Sequence, residues 1–188
     1  MHLAHTGGQT GCHTVDVAHG VVLRPDAQTS RALIELSHAI GDDHQPLMLL
    51  GDKAPPHLSI LHVDCADDRA ADLAAAAAPH RSRTFPATII GLLYSVVAPG
   101  DHYVPTGGHY FGLEMIRSPE LDALHREFLS LGHPPLGLVG HDYRPHITLG
   151  VTTGPPGRPP LAKVPTGTLR LTMATGPVGP YGTFPELS

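Results

Sequence analysis

The order of apolar and polar positions divides the chain into segments of period two and segments of helical period. VDVAHGVVL (15–23) is β-branched and reads as a first strand. In the segment that follows, Leu33, Leu36 and Ile40 recur at helical spacing, with Asp26 placed to cap the start and Gly41 to close the end. LMLL (47–50) predicts a short strand, HLSILHV (57–63) a clear one, and DDRAADLAAAAA (67–78) an Ala-rich helix with Pro79 just beyond it. Two further strands are expected over 84–98, bent near Gly91, and over 108–116. Ser118-Pro119 then opens a third helix, whose apolar stripe is Leu121, Leu124, Phe128 and Leu131. RPHITLGV (144–151) and TLRLTMA (168–174) read as strands on either side of a Pro/Gly loop, and 176–184 as one more irregular strand. Strands thus mix with helices and include hairpin-like neighbours, which predicts an α+β fold built on antiparallel sheet.

Within this frame one pattern occurs twice. Residues 56–60 read Pro-His-Leu-Ser-Ile, and residues 145–149 read Pro-His-Ile-Thr-Leu. Alternate side chains of a strand share a face, so His57 and Ser59 point one way and Leu58 and Ile60 the other. His146 and Thr148 stand likewise opposite Ile147 and Leu149. Each strand therefore shows an imidazole and a hydroxyl on one face and packs an aliphatic face into a core. The same alternation assigns His62, five positions after His57, to the core side and to a structural role.

Two imidazoles and two hydroxyls suit transfer at a phosphodiester. One neutral imidazole removes a proton from the attacking oxygen, and a protonated one supplies the leaving oxygen. The Ser59 and Thr148 hydroxyls would hold the non-bridging oxygens. No metal and no cofactor is implied by that chemistry.

Paired H-x-[ST]-x strands about ninety residues apart, here His57-Leu58-Ser59-Ile60 and His146-Ile147-Thr148-Leu149, resemble the 2H phosphoesterase superfamily. That group includes 2′,3′-cyclic nucleotide phosphodiesterases and RNA 2′,5′-ligase-like proteins. The resemblance covers roughly residues 15–184. It implies two pseudo-symmetric lobes, each a small antiparallel sheet with flanking helices, around an active-site cleft lined by the His and Ser/Thr pairs. It further implies hydrolysis of a cyclic or 2′,5′-linked nucleotide phosphodiester, with a 2′,3′-cyclic phosphate first among the substrates.

Composition narrows the partners. The 188 residues suffice for one well-cored domain, expected over 15–188 behind a loose tail at 1–14. The formal charge is −5, with 12 Lys and Arg, which argues against a long nucleic-acid duplex and leaves a small nucleotide or an RNA end. No apolar run is long enough to span a membrane, and no leader pattern is present, so cytoplasmic residence and a monomer are the expectations. Cys12 and Cys65 suggest neither a zinc ribbon nor a disulfide framework.

Further substrate-binding candidates are Lys53, four residues before His57, Tyr143 and Arg144 just before the second motif, and Tyr103 and Tyr110 flanking Thr106-Gly107-Gly108. Each competes with the plainer reading of a solvated loop residue. Two other functions stay open: a cavity that binds a phosphorylated ligand without turnover, and a metal-dependent hydrolase. The metal reading would draw on His133, His141 and His146, or on His102 and His109, although none has a recognised ligand spacing.

Overall fold

In the computed structural model, which describes residues 18–65 and 67–188, local signals account for most elements. The expected tail, Cys12 and the start of the expected first strand lie outside the described residues. Strand β1 (Ala18–Pro25) leads into helix α1 (Ala27–Gly41). Asp26 is extended, and its carboxylate accepts the Thr29 amide at 2.7 Å, the expected N-cap. Gly41 does not end the helix through a left-handed turn. A Cβ there would collide with the Leu49 side chain, so glycine serves close packing instead.

The remaining elements are β2 (Pro46–Leu49), β3 (Leu58–Asp64), α2 (Asp67–Ala77), β4 (Thr84–Val97), β5 (Gly108–Met115), α3 (Pro119–Leu129), β6 (Pro135–Leu136), β7 (His146–Thr152) and β8 (Thr168–Pro177). Ser118 caps α3 by accepting the Leu121 amide, and Pro119 occupies the first helical position. Leu121, Leu124 and Phe128 are buried as the stripe requires. Leu131 lies beyond the end of the helix and is 40% exposed, so it leaves the stripe. Of the irregular strand expected over 176–184, Gly176 and Pro177 continue β8, while Pro180–Gly182 forms a tight 3₁₀ turn, where Tyr181 has φ of 60° and cannot extend a ladder.

All strands join one antiparallel sheet in the order β2-β7-β5-β4-β8-β1-β3-β6. A further pairing between β3 and β7, Leu58 opposite Ile147, closes six of them into a ring. The aliphatic faces of β3 and β7 meet α1, α2 and α3 in one core that includes Leu33, Leu36, Leu58, Ile60, Phe111, Phe128, Ile147 and Leu149.

Both motif strands carry a bulge at the same place. Along β1 and β3 the register passes from Val22–Ser59 to Val21–Leu61 and skips Ile60. Along β5 and β7 it passes from Gly112–Thr148 to Phe111–Gly150 and skips Leu149. A bulge leaves ladder groups unpaired, and each helix supplies a partner. His125 on α3 donates to the Ile60 carbonyl at 2.8 Å, and Ser37 on α1 donates to the Leu149 carbonyl at 2.5 Å.

Candidate functional site

The face of β3 and β7 opposite the core opens on a cavity of about 440 Å³. His57, Ser59, His146 and Thr148 all line it. The Leu58–Ile147 pair explains why. In the antiparallel register it sets, His57 stands across from Thr148 and Ser59 across from His146. The two matched pairs thus share one wall.

Both histidines are oriented by the same device. His57 donates Nδ1–H to the Pro55 carbonyl at 2.8 Å, and His146 donates Nδ1–H to the Arg144 carbonyl at 2.7 Å. A carbonyl only accepts, so Nδ1 carries the proton in each ring and Nε2 is left as the basic nitrogen. Because Pro56 and Pro145 precede the histidines, each ring folds back across a proline onto the carbonyl two residues earlier.

The environments of the two rings differ. His57 is 9% exposed and packs edge-on against buried Phe184, ring centroids 4.8 Å apart. Burial pushes it down to about 4, against the pull of the Pro55 and Gly182 carbonyls, and the nearby His146 adds to the depression. His146 is also lowered, first by burial and then by the Arg144 charge, while its carbonyl partner and the Glu114 carboxylate oppose the shift.

A third imidazole belongs to the site. The bulge at Ile60 shifts the alternation by one, so His62 lies on the same face as Ser59 rather than in the core as regular alternation predicted. His62 lines the cavity, with Nε2 2.9 Å from Ser59 Oγ and Nδ1 2.6 Å from the Tyr103 hydroxyl. Burial pushes it down to about 3, with His57 and His146 adding to the effect. The sequence held no signal for it, because nothing in HLSILHV marks a bulge.

The secondary candidates separate. Tyr103 and Tyr110 both line the cavity, and burial beside Asp101 pushes both phenols up. Tyr143 is 5% exposed, stacked on His125 with ring centroids 4.1 Å apart, and donates to the Ser59 carbonyl at 3.1 Å. It braces the wall from behind, though part of it reaches the cavity. Arg144 also lines the cavity and is half-exposed, with its guanidinium held by Glu114 at 2.6 Å. Lys53 is exposed in the turn before β3 and does not line the cavity. Among the described residues, no three His, Cys, Asp or Glu side chains gather as a metal site, and His102, His109, His133 and His141 do not assemble one with His146.

Arg144 is the one Lys or Arg along the described lining, and Asp101 the one carboxylate. The rest of the wall is largely aliphatic and aromatic, including Leu93, Val97, Leu138 and Tyr110. Such a cavity can hold one anionic group between the imidazoles and an apolar or aromatic group beside it. Compared with known proteins, the chain matches no family model and no curated protein.

Proposed function

We propose that this protein is a phosphodiesterase of the 2H phosphoesterase type, acting on a nucleoside 2′,3′-cyclic phosphate or a similar small nucleotide phosphodiester. The observation that carries the reading is the pairing of the two motifs across Leu58 and Ile147, with both Nδ1 atoms tied to carbonyls and both hydroxyls on the cavity wall.

The reading includes two pseudo-symmetric halves around the cavity. The strand order supports it: exchanging β1 with β5, β2 with β6, β3 with β7 and β4 with β8 turns that order into its own reverse. The matched bulges, each with its carbonyl capped from a helix, repeat the relation at finer scale.

In this mechanism a phosphorus sits between the histidines. His57, neutral because burial holds it down, removes a proton from the attacking water through Nε2. The water oxygen bonds to phosphorus and the bond to the leaving ribose oxygen breaks. His146, whose charge the nearby Glu114 carboxylate favours, donates a proton to that oxygen. Ser59 and Thr148 hold the non-bridging oxygens, and the apolar wall with Tyr110 receives the base.

A binding module is the second reading. The lowered His57 and His146 favour it, because neither buried imidazole holds its proton readily at neutral pH. Turnover of 2′,3′-cyclic nucleotides in EDTA, lost in His57→Ala and in His146→Ala, is the expected result for the enzyme. Tight binding of the cyclic nucleotide with no product formed would favour the module. Activity lost to EDTA and restored by zinc or manganese would overturn both in favour of a metal-dependent hydrolase.

A further inference from the structure

The two hydroxyls on the cavity wall are not equivalent. Ser59 Oγ is engaged by His62, which is engaged in turn by Tyr103, whereas the Thr148 hydroxyl has no hydrogen-bond partner among the described residues. We propose that Tyr103 and His62 are positioning residues that fix the direction of the Ser59 hydroxyl proton toward a bound phosphate oxygen. The proposal rests on the phosphodiesterase reading for its substrate, but not for its geometry.

The direction of each hydrogen bond follows from distance and donor inventory. The Tyr103–His62 contact of 2.6 Å is shorter than an N–H···O bond ordinarily runs and suits a phenol donating to a ring nitrogen. Tyr103 keeps its proton, since burial and the Asp101 carboxylate disfavour the phenolate. Nδ1 of His62 is then an acceptor, and in a neutral ring Nε2 must carry the hydrogen. The Nε2–Oγ distance of 2.9 Å is the ordinary length for N–H···O. Ser59 thus accepts from His62, and its own O–H is released toward the cavity. His57 and His146 hold the opposite tautomer, with Nδ1–H and a basic Nε2. One strand therefore presents two imidazoles with reversed roles, one to move a proton and one to aim one.

The surroundings hold the relay in place. The His62 ring meets Tyr103 and Phe184 edge-on, with centroids 5.5 and 5.2 Å away, and lies in the wall at 9% exposure. The reverse arrangement would have Tyr103 accept from Nδ1–H and Ser59 donate to Nε2, making Ser59 a serine nucleophile with His62 as its base. A ring held down to about 3 is a poor base for that task, which agrees with the distances.

The test has two arms. Long-range ¹⁵N–¹H NMR of the free protein reads the tautomer of each histidine directly. The expected result is Nε2–H for His62 and Nδ1–H for His57 and His146, with the His62 preference lost in Tyr103→Phe. Nδ1–H on His62 in the wild type overturns the relay. In the second arm, hydrolysis of 2′,3′-cyclic AMP is measured in Tyr103→Phe, Ser59→Ala and the double variant. Tyr103→Phe is expected to lower kcat about tenfold with KM nearly unchanged, since it disturbs a donor used in the transition state. In the Ser59→Ala background the same change should have no further effect on kcat. Equal loss in both backgrounds would make Tyr103 a wall residue and overturn the proposal. Wild-type protein that hydrolyses nothing refutes the phosphodiesterase reading instead, and the NMR arm then decides the relay alone.

Discussion

Lowering the pH should unfold this protein through its cavity histidines. His57 and His62 are each 9% exposed and held down to about 4 and about 3. In the unfolded chain both return to about 6.5, so the unfolded state binds more protons below that pH and stability falls with pH. The stabilisation is fully present above about pH 6.5, and its loss ends as pH drops through the folded-state values. At pH 4.5, relative to pH 7.5, each ring favours the unfolded chain by about 2–3 kcal/mol, so the pair removes on the order of 5 kcal/mol. That is comparable to the whole stability of many domains of this size. Asp26 and Asp122, also lowered, act in the same direction but only nearer their own range, around pH 4 and below. Urea unfolding followed by circular dichroism from pH 7.5 to 4.5 reads the effect, as a slope near pH 5 of about two proton equivalents, about 3 kcal/mol per pH unit, to which the lowered His146 adds. His62→Gln removes one titrating ring and should lower the slope by one proton equivalent, about 1.4 kcal/mol per pH unit, whatever it does to the intercept. A midpoint that does not move between pH 7 and 5, or an unchanged slope in the variant, would refute the reasoning.

Two further outcomes follow from the same geometry. An anion between His57 and His146 should raise both, so sulfate, which keeps its charge over this range, should bind more tightly as pH falls from 8 to 6. Calorimetry in buffers of differing ionisation enthalpy should show proton uptake, and a pH-independent affinity would count against an anion site there. Gly112→Ala places a Cβ against the Ile147 carbonyl where β5 lies on β7. It should cost about 1–3 kcal/mol by thermal or chemical unfolding, as overpacking does, and no measurable loss would contradict the close approach.

The motif strands were legible because a period-two pattern and a repeated pentapeptide are local facts. So were the caps at Asp26 and Ser118, where one side chain meets a backbone amide three residues on. What escaped was set by contacts between distant segments. His62 changed faces because of one extra residue in β3, and a bulge becomes visible only when β1 pairs beside it. Tyr143 does reach the cavity, but its ring stacks on His125 and its hydroxyl donates to the Ser59 carbonyl, 84 residues away in the chain, contacts no local pattern announces. Lys53 is near His57 in sequence, yet it is exposed and does not line the cavity. Phe184 drew no notice in a Pro/Gly segment, although it is fully buried and walls both His57 and His62.

The matched bulges bring His62 to Ser59 on β3, and the residue five positions after His146 on β7 is Val151, fully buried. An imidazole after one motif and an isopropyl group at the matching offset after the other make the two motifs unlike at the scale of a single phosphate. The two non-bridging oxygens of a nucleoside 2′,3′-cyclic phosphate are diastereotopic, one on the sugar side of the ring and one on the outer side. On the proposed relay, one would meet an aimed donor and the other the Thr148 hydroxyl, which has no hydrogen-bond partner among the described residues. If the proposed phosphodiesterase reading holds, a pocket lined by two similar motifs would in this way treat the two oxygens unequally.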